Sequence, residues 1–152
     1  MDELDFMLGS WTLDYKLPRS FMAAEGGTGK GIGVLQRALN GRYVFFDYSA
    51  SGTFGQAKAH GIFAWDAKEK LYRYWWFEDS GANLVATGNF VDDDTLFLAW
   101  QDTEFQGKKM RCQQTFTKQN PDRFILRMEC RVEGDDFEPV LEVTFTRSRN
   151  RS

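Results

Sequence analysis

The chain reads as all-β, a single closed antiparallel up-and-down barrel of about ten strands with a short helical plug at its N-terminus. Three observations predict it. The apolar segment Leu4-Asp5-Phe6-Met7-Leu8 runs into Gly9-Ser10-Trp11, where the glycine lets the chain turn sharply into a strand and the indole plugs the barrel floor. Apolar and polar residues alternate with period two along most of the 152 residues, which is the signature of half-buried strands. Aromatic residues make up 16% of the chain, with 14 Phe and 5 Trp, and such side chains suit a pleated surface.

Each strand follows from its own pattern. Trp11, Leu13, Tyr15 and Leu17 alternate with Thr12, Asp14 and Lys16, giving a first strand with one apolar face. Pro18 to Gly31, rich in glycine and alanine, reads as a long loop at the barrel mouth, able to serve as a lid. The second strand is expected near Ile32 to Leu39. Asn40-Gly41 is a strong hairpin signal, because both turn positions need positive φ, and Arg42 to Ala50 forms the third strand. The fourth runs from Gly55 to Trp65 and closes at Asp66-Ala67-Lys68-Glu69.

Leu71 to Glu78 carries Tyr72, Tyr74 and Trp76 on one face and Leu71, Arg73, Trp75 and Phe77 on the other. Both faces are aromatic, so alternation alone leaves its inner face open. Leu84 to Phe90 and Thr95 to Asp102 are joined by Val91-Asp92-Asp93-Asp94. Met110, Cys112, Gln114 and Phe116 share a face, as do Phe124, Leu126, Met128, Cys130 and Val132. The last strand carries Leu141, Val143 and Phe145. Sequential strands of this kind close on themselves, which removes the exposed edges that invite aggregation.

Composition bounds the function. The size suits one domain, residues 1–152, with 147–152 as a frayed tail. A net charge of −3 with scattered basic residues gives no clustered positive field, so no nucleic-acid partner is expected. Without a basic leader or a long apolar run, the chain reads as cytoplasmic, with no membrane partner. No cofactor is expected either.

The motifs with chemical appeal reduce to simpler roles. His60, the only histidine, shares its strand parity with Lys58 and Asp66, which puts it on the outer face while Ala57, Ala59, Phe63 and Trp65 line the interior. Gly26 to Gly31 resembles a phosphate-binding loop only superficially, since Ala24 and Gly31 stand where that motif needs Gly and Ser or Thr. Pairing Cys112 with Cys130 brings Met128 opposite Gln114 and Leu126 opposite Phe116. Their sulfurs could then bridge, although a reducing cytosol favours free, buried thiols. Asp92-Asp93-Asp94 reads as a solvated turn, and no metal site is expected.

The residues chosen as ligand-binding candidates are Trp11, Tyr15, Phe45, Asp47, Arg73, Tyr74, Trp76, Glu78, Trp100 and Gln114. Polar groups interrupting apolar faces are what orients a guest in a mostly apolar cup, and an internal arginine could grip a ligand carboxylate. The facing of the third and fifth strands decides whether Asp47 and Arg73 qualify.

The order LDFMLGSW, LNGRYVFFDY, GIFAWDAKEKLYRYWWFEDSG, ATGNFVDDDTL and EVTFTR resembles the calycin-superfamily family called domain of unknown function 1579. That resemblance implies a barrel like those of lipocalins and fatty-acid-binding proteins, without an established activity. Asn40, Trp65 and Glu78 depart mildly from the family pattern. A more distant resemblance, through the leucine-rich segment and Gly-x-Trp, is to nitrobindin-like haem-binding barrels. Those place a haem-ligating histidine near the C-terminus, where this chain has none.

Three functions follow. The first is a cup for a small hydrophobic or amphipathic ligand, by analogy of fold. The second is an enzyme using Glu78 or Asp47 with Arg73 or Tyr74 for acid–base chemistry. The third is a homodimer formed through the outward aromatics of the fifth strand.

Overall fold

A computed structural model describes residues 1–148. A 3₁₀ helix, Asp2–Met7, precedes eleven strands: β1 Gly9–Leu17, β2 Gly27–Ala38, β3 Tyr43–Gly52, β4 Gly55–Asp66, β5 Leu71–Glu78, β6 Asn83–Asp92, β7 Thr95–Trp100, β8 Thr103–Phe105, β9 Lys108–Asn120, β10 Arg123–Val132 and β11 Glu138–Arg147. Ten of them form a closed antiparallel ring. Each of β1 to β6 pairs with its successor, β7 pairs with β9, β9 with β10, β10 with β11, and β11 returns to β1. The short β8 lies outside the ring and pairs only with the start of β9, turning through Gln106-Gly107 at positive φ.

Directly paired residues point to the same face of a sheet, so the registers settle which side chains enter the barrel. Val44, Phe63, Tyr74, Ala86 and Trp100 form one continuous row across β3 to β7, and all five are buried. The even-numbered residues of β3 and β5 therefore face inwards. The opposite row, Asp47–His60–Phe77, faces out. His60 is on the outer face as expected, with Nδ1 2.6 Å from Asp47 Oδ1.

One end of the barrel is sealed. Trp11 is buried and its Nε1 donates to Met7 O at 2.9 Å, with Phe124 edge-on at 4.7 Å and Phe145 stacked on Phe124 at 4.2 Å. The helix buries Leu4 and Met7 over this floor. Arg37 of β2 holds it through Asp2 and Asp5 at 2.8 and 2.6 Å, and the Tyr72 hydroxyl donates to Glu3 Oε1 at 2.8 Å. Arg147 donates to Leu8 O and Pro121 O.

Four local expectations are corrected. The glycine-rich loop is shorter than Pro18 to Gly31, because β2 begins at Gly27 and only residues 18–26 connect it to β1. Gly27, Gly29, Gly31 and Gly33 alternate inwards along β2 instead. A Cβ at Gly33 would lie 2.9 Å from the Phe46 ring, and one at Gly29 would strike Phe54. These absent side chains leave the space that Phe46 of β3 and Phe54 of the β3–β4 turn occupy.

The Asn40-Gly41 turn spans residues 39–42, with positive φ at Leu39 as well as at Asn40 and Gly41. Of the tail expected to fray from residue 147, the first two residues are held in place. Arg147 ends β11, and Ser148 N donates to Ser10 O at 2.8 Å. Residues 149–152 lie outside the described ones.

Fourth, Cys112 and Cys130 are cross-strand partners, as the register predicts, but they are joined as a disulfide rather than left as thiols. Their Cα atoms lie 4.1 Å apart, close to the separation typical of the narrow pairs of an antiparallel ladder. That proximity brings the two inward side chains within bonding reach. The β9–β10 turn differs in detail, since Asn120, not Gln119, faces Arg123 and the register shifts before Phe124.

No helix among the described residues is long and apolar enough to cross a membrane.

Candidate functional site

Above the sealed floor the interior stays open. A cavity of about 320 Å³ is lined by Tyr15, Phe46, Tyr48, Tyr74, Trp76 and Trp100 on one side. Gln114, Phe116, Met128, Leu141 and Val143 line the other, with Glu78, Met110, Cys112 and Thr103 towards the mouth. The inner faces of β1, β3 and β5 supply the tyrosines because period two puts every second residue inside. Gly61 of β4 supplies the clearance. A Cβ there would sit 2.6 Å from Tyr74 Cε1, so only glycine lets that ring lie flat against the neighbouring strand.

The wall is a continuous aromatic lattice. Tyr48 stacks on Trp76 at 5.3 Å between ring centres and on Phe46 at 5.6 Å. Tyr74 stacks on Phe63 at 4.1 Å and touches Trp76 and Trp100 at 5.8 and 5.6 Å. Offset and edge contacts of this kind add stabilisation beyond area burial, and they hold each ring in one orientation.

Polar groups enter this lattice at few points. Gln114 is only 3% exposed, and its Oε1 accepts from Trp100 Nε1 at 2.7 Å. Trp76 Nε1 donates to Glu78 Oε2 at 2.9 Å, and Ser80 Oγ donates to the other carboxylate oxygen at 3.2 Å. The Tyr15 and Tyr48 rings lie side by side, 6.2 Å between centres. Burial raises the pKa of Tyr15 well above the ordinary phenol value, with the neighbouring Tyr48 adding to the effect. Burial also raises Tyr48, reinforced by the negative charges of Glu78 and Asp79. Tyr74 is raised most clearly by burial, then by its two tyrosine neighbours. All three remain neutral O–H groups across the physiological range.

The mouth carries a flap. In the β1–β2 connection, Phe21 N donates to Glu138 Oε1 at 2.7 Å and the Phe21 ring meets Phe105 of β8 edge-on at 5.2 Å. Met22, next in sequence, lines the cavity.

Of the ten residues singled out from the sequence, Tyr15, Tyr74, Trp76, Glu78, Trp100 and Gln114 line this cavity. Trp11 lies in the floor below it, packed on Phe124. Phe45, Asp47 and Arg73 do not line it, which corrects their assignment. Their odd-numbered positions on β3 and β5 face outwards, where Phe45 packs on His60 at 5.3 Å and Arg73 Nε binds Asp66 Oδ2 at 3.0 Å. Asp47 and Arg73 are thereby removed from any acid–base arrangement inside the barrel. Tyr48 and Phe46 were missed, although the pairing of β3 with Phe63-bearing β4 would have found them. The sequence offered the signal in the inward assignment of Phe63.

Comparison with known proteins agrees with this architecture. Residues 2–147 match the family model described as a protein of unknown function (DUF1579). No curated protein matches the chain. Among solved structures, Rv2717c from M. tuberculosis is similar at TM-score 0.67 and 12% identity, covering 98% of this chain and 99% of that one. The S-type phycobiliprotein lyase CPES from Guillardia theta is similar at TM-score 0.66 and 9% identity, covering 99% and 93%. A redesigned β-barrel, mFAP1, bound to DFHBI, is similar at TM-score 0.52 and 13% identity, covering 97% and 100%. At these identities the likeness is one of fold. With the family model spanning nearly the whole barrel, the chain belongs to the DUF1579 family.

Proposed function

We propose that this protein is a binding cup for a small, largely apolar or amphipathic molecule held inside the barrel. The observation that carries the reading is the cavity itself: about 320 Å³ of interior left open among packed aromatic rings. That volume falls within the range of small-molecule pockets, which are mostly apolar with a few placed polar groups. Tyr15, Tyr48, Tyr74 and Gln114 are the residues assigned to orient the guest, and Trp76, Trp100 and Phe46 to contact its apolar body. Hydroxyls kept protonated by burial favour a guest with a hydrogen-bond acceptor. The mFAP1 barrel, which is bound to DFHBI, supports the reading by analogy only.

Haem fits these residues poorly. The sole histidine, His60, faces out beside Asp47, and among the described residues no cation lines the cavity to meet the haem propionates.

Native mass spectrometry of freshly purified protein, compared with its denatured mass, tests the cup. A companion mass lost on denaturation supports it and reveals the guest's class. If the protein arrives bare, it is titrated with 1-naphthylmethanol, a neutral apolar probe with one hydroxyl. A bare chain that also takes up none of this probe overturns the reading.

A further inference from the structure

The charge of the cavity wall narrows the guest further, on the premise that the barrel is a cup. Among the described residues nineteen side chains line the cavity, and Glu78 is the only charged one; none of the others is Lys, Arg or His. Arg73, the arginine the sequence offers for gripping a carboxylate, points outwards and is paired with Asp66. Lys16 and Lys30 share the outward parity of Asp14, and Lys30 pairs with it at 3.6 Å.

Glu78 is also a fixed charge. The Trp76 indole and the Ser80 hydroxyl each hold one of its oxygens, which sets the carboxylate at the mouth beside the Trp76 and Tyr48 rings. The loops around this end carry Glu25, Asp79, Asp102, Glu133, Asp135 and Asp136 against Arg19, and the start of β9 brings Lys108, Lys109 and Arg111, the last two paired with Asp102.

We propose that the cavity selects cationic and neutral amphiphiles and rejects carboxylates, seating an organic ammonium group beside the Glu78 carboxylate and the Trp76 and Tyr48 rings. A carboxylate entering the same space would shed its hydration with no cation to replace it, and would face a like charge at the mouth. An ammonium group instead gains a carboxylate partner and the electron-rich faces of Trp and Tyr, the chemistry by which aromatic cages hold alkylammonium ions.

The test compares three probes that share one skeleton and differ in charge: 1-naphthylmethylamine, 1-naphthylmethanol and 1-naphthoate, titrated calorimetrically into the whole protein at neutral pH. The amine is expected to bind about tenfold more tightly than the alcohol, the step that one ion pair or cation–π contact typically provides. The carboxylate should bind at least about tenfold more weakly than the alcohol. In Glu78→Gln, which keeps an acceptor for the Trp76 N–H, the amine-to-alcohol ratio should fall to near one. Asp93→Asn, which removes one acid from the β6–β7 turn away from the cavity, should keep the ratio of the parent. Naphthoate binding as tightly as the amine, or a ratio that survives Glu78→Gln, overturns the charge selection while leaving the cup intact. Failure of all three probes to bind rejects the cup itself.

Discussion

The Arg147 guanidinium lies 4.3 Å over the Trp11 ring, and the two residues are direct cross-strand partners of β11 and β1. The last strand thus locks the first at the point where the barrel closes. The same guanidinium donates to Leu8 O at 2.9 Å and to Pro121 O at 3.0 Å, tying the helix exit and the β9–β10 turn to the floor. Gly9 makes room for it: a Cβ there would sit 2.5 Å from Arg147 Nη1, at a φ of +120°.

Arg147→Lys retains the charge but loses the planar fork that stacks on the indole while reaching two carbonyls. It should cost about 2 kcal/mol, the sum expected of a partly exposed cation–π contact and one charged hydrogen bond. Urea unfolding followed by tryptophan fluorescence measures it, and a midpoint unchanged from the parent would remove the lock from the account.

Tyr74 lines the cavity, and burial and neighbouring phenols, not a hydrogen bond, dominate its environment. Tyr74→Phe should therefore leave stability within about 0.5 kcal/mol of the parent, because no hydrogen bond within the protein is lost. Binding of 1-acetylnaphthalene, whose carbonyl can accept from the hydroxyl, should weaken about tenfold, the cost of one unmade buried hydrogen bond. Equal affinity for both proteins would mean that the hydroxyl does not orient the guest.

Stability should fall on the alkaline side. The phenols of Tyr15, Tyr48, Tyr72 and Tyr74 all titrate above their ordinary value in the folded barrel, chiefly because burial disfavours the anion. An unfolded tyrosine titrates near pH ~10. Above that pH the folded state holds more protons than the unfolded state, so the unfolding free energy declines as pH rises. The contribution is complete below about pH 10 and is lost progressively towards the raised folded values. Tyrosinate absorbance and far-UV circular dichroism, recorded together, should show these tyrosines ionising as the barrel unfolds. Ionisation of all five tyrosines near pH ~10 with the barrel intact would contradict it.

The Cys112–Cys130 disulfide staples β9 to β10 across a sequence separation of 18 residues. A loop of that order should contribute about 3 kcal/mol by restricting the unfolded chain. Denaturant unfolding with and without dithiothreitol measures the difference, and an equal midpoint in both would show that the bridge adds nothing. Since Cys112 also lines the cavity, probe binding measured in the same two conditions reports whether the staple shapes the mouth.

The barrel itself was legible in the sequence because closure leaves a trace in every strand: one face apolar, the next residue polar, glycine and asparagine where the chain must turn. The Gly-x-Trp floor, the outward His60, and the partnership of Cys112 with Cys130 could all be read this way. Period-two patterning weakened where both faces of a strand carry large apolar groups. On β5, Trp75 and Phe77 outside look much like Tyr74 and Trp76 inside, so local pattern alone could not reject Arg73. The glycines of β2 looked like a loop for the converse reason, since an inward residue without a side chain leaves no hydrophobic signal.

Only the tertiary pairing decided these cases. The buried row from Val44 through Phe63 and Tyr74 to Trp100 gives each ambiguous strand the facing of its neighbour, because a shift of one residue would turn every side chain over. That row brings Tyr48 into the cavity and turns Asp47 out of it. The sequence alone determined that this chain closes into an aromatic barrel, since strand patterning is a local property. Which rings leave a space between them depends on contacts between residues far apart in sequence, and only the packed structure decides it.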